Sequence, residues 1–145
     1  MKRENLDAFI LKFEQYAQES LHDDLLVPEI FIDAEIPASL IDEKFYKLLR
    51  QFAPFGPGNM RPVFITRNIS DSGNSKLVGS DHLQVIFSSL DNQTMKGIAF
   101  KMAFYHDLVK RDKFDLCYVI DENNFNGRTS LQLLIKDIRP TQSIQ

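Results

Sequence analysis

Tryptophan is absent from the 145 residues, cysteine occurs once and glycine six times. Each shortage removes a class of protein. A single thiol, Cys117, excludes an internal disulfide, which fits a reducing cytoplasm. Its place in the run Phe114–Ile120 makes it a small buried hydrophobe rather than a nucleophile. No apolar run approaches the ~20 residues a membrane helix needs, and the charged N-terminus adjoins no signal-peptide core, so no membrane partner is expected. The phosphate-cradling Gly-Lys-Ser/Thr loop and the Gly-x-Ser-x-Gly elbow are missing as well. His22, His82 and His106 stand apart, and none belongs to a spacing that would put two ligands on one metal, so no cofactor is expected in this chain. Asp23-Asp24 and Asp121-Glu122 are adjacent pairs whose members project to different sides; they read as solvated turn ends.

What is present is ordinary for a globular protein: 43% hydrophobic and 26% charged residues, with twelve phenylalanines to bury. The net charge of −3 is unevenly spread. Residues 1–52 hold 6 Lys/Arg against 11 Asp/Glu, whereas residues 53–145 hold 11 against 9, so any nucleic-acid role belongs to the second part.

The pattern changes at Ala53-Pro54-Phe55-Gly56-Pro57-Gly58-Asn59-Met60-Arg61-Pro62, where three prolines and two glycines predict a connection of defined shape. Pro54, Phe55, Gly56, Gly58 and Asn59 are its key positions, and Phe55 and Phe64 are expected to anchor it to neighbouring cores. Before it, Leu6, Phe9, Ile10, Phe13 and Ala17 recur at helical steps, with Asn5 as N-cap. Alternation over residues 29–36 predicts a strand. Ser39 to Asp42 reads as a capping box ahead of a second helix bearing Ile41, Phe45, Leu48, Leu49 and Phe52. After it, strands are predicted at 62–69, 82–90, 95–103, 114–122 and 128–138, with one helical insert at 104–110 between the third and fourth.

Ala53 to Asn59 followed by Pro62-Val63-Phe64 resembles a segment of the RecJ single-stranded-DNA-specific exonucleases. Glu4-Asn5-Leu6-Asp7-Ala8-Phe9, Asn126-Gly127-Arg128, Ser130-Leu131-Gln132-Leu133 and Lys136-Asp137-Ile138-Arg139-Pro140 extend the likeness over nearly the whole chain. The resemblance implies an α+β chain: a partial α/β segment of two helices and a strand, then a five-stranded OB-fold-like β-barrel. In these terms residues 1–53 end a DHH-associated domain, 54–62 form the hinge, 63–140 the OB-fold and 141–145 a tail. The Asp-His-His motif that names the superfamily has no counterpart here, so the Mn²⁺ or Mg²⁺ of such enzymes is expected in an absent catalytic core.

A face that holds single-stranded DNA needs spaced cations and flat groups. Arg128, Gln132 and Lys136 alternate along the last strand and share a face unless a bulge intervenes. Lys101 shares its face with Gly97 and Ala99, whose small size would leave it accessible and let a backbone approach; Arg61, Arg67 and Lys76 lie near the first strand, and Phe125 stands at a hairpin tip where it could stack on a base. Each cation alone also reads as ordinary solvated surface. Expected partners are single-stranded DNA, the parent enzyme's upstream domains, single-strand-binding protein, and a second copy through exposed apolar helix faces. The rival reading is a structural or protein-interaction module with little DNA contact.

Overall fold

The computed structural model describes residues 3–20, 29–88, 94–125 and 127–141, the side chains of Glu4, Phe125 and Arg128 excepted. Contacts divide the chain into Met1–Phe31 and Ile32–Gln145. In the first unit, a 3-10 turn at Arg3–Asn5 leads into α1 (Leu6–Ser20), where Asp7 occupies the first turn. The predicted stripe forms, with Phe9 and Phe13 stacked at 6.0 Å, yet no α1 side chain is buried.

The second unit is a sheet that closes on itself. Its strands are β1 (Ala34–Glu35), β2 (Phe64–Asp71), β3 (Lys76–Val78), β4 (His82–Ser88), β5 (Thr94–Ala99), β6 (Phe114–Phe125) and β7 (Arg128–Pro140). They lie in the order β1-β2-β6-β7-β5-β4-β3, and β2 also pairs with β4. That extra pairing, Ser70 with Ser88 and Asp71 with Phe87, turns β2-β6-β7-β5-β4 into a ring. Closure removes the open edges that a five-stranded sheet would otherwise present. The one parallel contact within the ring, β5 with β7, needs a crossover, which is supplied by a 3-10 turn (Ala103–Tyr105), α3 (His106–Arg111) and β6.

Alternation fills the barrel. Leu83, Val85 and Phe87 of β4 meet Phe114, Leu116, Tyr118 and Ile120 of β6 and Leu133, Ile135 and Ile138 of β7, while Val109 of α3 joins the same core. Inside it, Thr66 Oγ1 donates to the Ile36 carbonyl at 2.8 Å and lies 2.7 Å from Tyr118 Oη. The threonine proton is thereby used, so the Tyr118 hydroxyl donates to it, and both buried groups are satisfied.

Several expectations need correction. The strand at 29–36 shrinks to two residues pairing parallel to β2, with Ile30 and Ile32 exposed and only Ile36 of that stripe buried. Residues 38–40 form a 3-10 turn, and Asp42 rather than Ser39 caps α2 (Glu43–Leu49), its carboxylate accepting from the Phe45 N–H at 2.7 Å. The compact unit begins at Ile32, upstream of the hinge. The physical reason is packing: Ile36, Ala38 and Ile41 are core residues, and Phe45 packs against Phe64 with ring centroids 5.7 Å apart and planes tilted by 57°.

At the hinge itself, Gly56 and Asn59 exchange two backbone hydrogen bonds of 2.9 Å around Pro57 and Gly58 (φ 82°). Proline followed by a left-handed glycine is what such a reversal requires. Asn59 Nδ2 donates to the carbonyls of Phe52 and Pro54, tying the turn to the end of the 3-10 turn Arg50–Phe52 that follows α2. Phe64 is in the core, and Phe55 is half-buried beneath the Arg61 guanidinium. No helix is long and apolar enough to cross a membrane among the described residues.

Candidate nucleic-acid interface

The barrel's outer face over β4, β5 and β7 gathers cations. Cross-strand partners point to the same side of a sheet, so the register identifies neighbours. Lys76 pairs with Gln84, Gln84 with Ile98, and Ile98 with Leu134, forming one row. Ile86 pairs with Lys96, and Lys96 and Gln132 immediately precede the Gly97–Leu133 pair, giving a second row. Lys76, Lys96 and Lys136 are exposed, and Gln84, Ile98, Gln132 and Leu134 are half-buried. The arrangement offers three ammonium groups around a shallow apolar floor, which suits a polyanion carrying flat apolar groups.

Phe100 extends this face and was not singled out from the sequence. It continues the outward parity of Lys96 and Ile98, is 53% exposed, and meets His82 edge-on at 5.1 Å. Beyond the Ile98–Leu134 pair lie Phe100, in the turn that follows β5, and Lys136, two residues further along β7. The signal was in the sequence: counting by twos from Lys96 reaches Phe100.

The predicted cations fare differently. Lys136 is outward although the bulge sits on it, since Ile135 pairs with Tyr118 and Asp137 with Cys117, leaving Lys136 unmatched. The surroundings expected of Lys101 do not hold. Met95, Gly97 and Ala99 are buried in the barrel, and Lys101 lies beyond β5 in a left-handed turn (φ 58°) with its N–H donating to His82 Nδ1 at 3.1 Å. Gly97 is small because Ile135 presses on it, not because a ligand does. Arg67 is held by Glu35 at 2.9 Å and Asp115 at 3.0 Å, away from Lys96 and Lys136. Phe125 and Arg128 pair through their backbones at the β6–β7 tip, but their side chains lie outside the described residues, as do His22 and Asp23-Asp24.

Asp121 and Glu122 are not solvated turn ends. β6 runs on to Phe125, and the two carboxylates meet Arg61 at 2.6 Å and Arg50 at 3.6 Å. A cleft of about 490 Å³ beside the hinge is lined by these four charges, which cancel, so it has no net attraction for phosphate. Burial pushes the Cys117 thiol up, as befits an inert side chain. Among the described residues no group of three or more His, Cys, Asp or Glu side chains is placed to hold a metal ion.

A five-stranded closed ring, with a helix between its third and fourth strands and a parallel contact between third and fifth, is an OB-fold. The family of RecJ OB domains matches residues 32–137, and the chain belongs to it. The matched range begins where the compact unit begins. Relatives named single-stranded-DNA-specific exonuclease RecJ include that of Salmonella typhimurium, 32% identical over 139 residues covering 89% of this chain, and that of Escherichia coli, 28% identical over 97% of this chain. In both cases the chain spans 24% of the relative's length. The crystal structure of RecJ from Thermus thermophilus in complex with Mn²⁺ superposes with a TM-score of 0.70 at 21% identity, covering 100% of this chain and 20% of that one. At that identity the likeness speaks to fold.

Proposed function

We propose that this chain is an accessory single-stranded-DNA-binding module of a RecJ-like 5′-to-3′ exonuclease, and that its barrel holds the strand on the β4-β5-β7 face. The observation that carries the reading is the convergence of Lys76, Lys96 and Lys136 around Ile98, Leu134 and Phe100, which the register and exposures support. Lysines neutralise phosphates, Gln84 and Gln132 offer hydrogen bonds, and Phe100 stacks on a base. Arg128 and Phe125, which pair at the β6–β7 tip, are further candidates to contact the strand, and Lys101 follows the end of β5, whereas Arg67 lies apart from this face. Residues before Ile32 end the preceding DHH-associated domain, and cleavage with Mn²⁺ or Mg²⁺ belongs to parts of the parent that this chain does not span.

Fluorescence anisotropy with a labelled oligothymidylate tests this. Exchanging Lys96 and Lys136 for alanine should flatten the log–log salt dependence by about 1.4, from ~0.7 per neutralised phosphate on a single strand. Phe100→Ala should cost ~1–3 kcal/mol of binding with little sequence preference. Unchanged affinity and slope in both variants would remove the DNA face. The second reading, a protein-contact module, is favoured by one feature: Phe9, Ile10 and Phe13 are all exposed on α1. A second copy, the upstream domain or single-strand-binding protein are its candidate occupants.

A further inference from the structure

We propose that the barrel carries a second nucleic-acid surface, a groove beside β2, running from the end of β4 to the C-terminal end of α3, that takes the sugar–phosphate backbone without reading bases. Two clefts of about 350 and 310 Å³ adjoin there, sharing Ser70 and Lys113. Their walls contain four cations, Arg67, Lys110, Arg111 and Lys113, and two carboxylates, Asp71 and Asp112; the Glu35 and Asp115 carboxylates that hold Arg67 bring the count to four and four, so the attraction for phosphate rests on local cations outside those ion pairs rather than on a net charge. The hydroxyls of Ser39, Ser70 and Ser88 and the amide of Asn68 complete the polar lining, and neither cleft has an aromatic residue.

Local structure explains how these groups are presented. Between Thr66 and Ile69 the pairing of β2 with β6 slips, and this bulge turns Arg67 and Asn68 (φ 56°) outward. Arg67 is fixed by Glu35 and Asp115, and Lys110 by Asp71 and the Gly73 carbonyl, so these two shape the floor with their charge already matched. Arg111 and Lys113 are exposed, and no ion pair among the described residues involves them. They are the charges an incoming phosphate would meet. Lysine, arginine, serine and asparagine are the side chains that contact phosphates, and without an aromatic surface a base has nothing to stack on. A peptide is a poorer fit, because the groove has no deep apolar pocket to seat its side chains.

The inference rests on the nucleic-acid reading above. Strand β4 joins the surfaces: His82, Gln84 and Ile86 face the first, and Ser88, at its end, lines the second. A strand crossing β4 therefore occupies both, and a short one occupies only the aromatic face.

The test compares labelled oligothymidylates of about 4 and about 16 nucleotides, the span of OB-fold site sizes. Exchanging Arg111 and Lys113 for glutamine should flatten the salt slope by about 1.4 for the long oligonucleotide and leave the short one unchanged. Both positions are exposed, so an unchanged melting temperature confirms that the fold is intact. An unaltered slope on the long oligonucleotide, with Lys96 and Lys136 variants still effective, overturns the groove and spares the first face. No change in any variant removes the nucleic-acid reading itself. Equal loss on both lengths overturns the two-surface arrangement, and so does competition by an oligoglutamate as effective as that by oligothymidylate.

Discussion

Replacing Gly97 by alanine separates the two roles a small residue in β5 can have. A Cβ built there lies 2.7 Å from Ile135 Cδ1, 3.0 Å from its Cγ1 and 3.3 Å from Leu133 Cβ. Ile135 is 3% exposed and Leu133 fully buried, so neither has free space to retreat into. Overpacking of this kind costs ~1–3 kcal/mol. Alanine also restricts the unfolded chain, which returns ~0.4–1 kcal/mol because Gly97 is not among the positive-φ glycines. The clash wins, leaving a net loss of about 1–2 kcal/mol, at about 2–4 °C of melting temperature per kcal/mol for a domain near this size. Ile135→Val deletes the nearest atom and alone costs ~0.5–1.5 kcal/mol. In Gly97→Ala/Ile135→Val the two losses should fall short of their sum by ~0.5–1 kcal/mol, within the usual range for touching residues. Urea and thermal melts of the four proteins, with oligothymidylate affinity measured on each, give the cycle. A neutral Gly97→Ala, strict additivity, or lost affinity at unchanged stability would each refute the inward placement, the last being what an outward, ligand-facing glycine would give.

Tyr118→Phe should cost ~0.5–1.5 kcal/mol through the lost bond to Thr66. Burial raises the Tyr118 phenol from its ordinary 10.0 to about 12, so the unfolded chain ionises first; the stability it confers is full below pH 10 and is lost as pH rises through about 12. That loss is about 2–3 kcal/mol, and alkaline melts of Tyr118→Phe should lack it. Burial alone would raise the Asp115 carboxyl, but the Thr141 hydroxyl, the Asn68 N–H and Arg67 outweigh it and hold it below the usual range. Its contribution is therefore present at neutral pH and lost as pH falls through the lowered value; Asp115→Asn should cost ~1.5–3 kcal/mol at neutral pH and make the acid limb shallower. Sedimentation at rising concentration should show self-association that Phe9→Ala/Phe13→Ala abolishes, and a monomer throughout would remove that contact.

The ring strands were legible where alternation or a continuous apolar run holds over several residues, despite the bulges in β2 and β7. In β4, Leu83, Val85 and Phe87 are fully buried as alternation requires, and β6, β7 and the helical insert also fall close to their predicted positions. Segments governed by long-range partners were not legible. Residues 32–53 show two amphipathic patterns without a visible partner, and on pattern alone they attach equally well to an upstream domain. Their actual partner is Phe64 and the β2 backbone, whose Ile65 carbonyl accepts the Ile36 N–H at 3.0 Å. Nothing in the local sequence encodes that choice.

The proposed binding face was half legible for a related reason: parity tells which residues share a side, but not which side is outside. For β7 the leucines and isoleucine at 131, 133 and 135 decide it, since burying them sends Gln132 and Lys136 outward. For β5 the odd positions are Met95, Gly97 and Ala99 and the even ones Thr94, Lys96 and Ile98, so side-chain size points the wrong way: small residues suggest an open surface. Inside a barrel this narrow, large side chains from β7 require small ones opposite, and Ile135 over Gly97 is that pairing. Inward glycine in turn forces Lys96, Ile98 and Phe100 to the outside. The same packing that fills the barrel thus sets Lys96 of β5, with Phe100 just beyond the strand's end, on the side that carries Gln132 and Lys136 of β7, and a reading that had asked first what could fit inside would have reached Phe100 as well as Lys101.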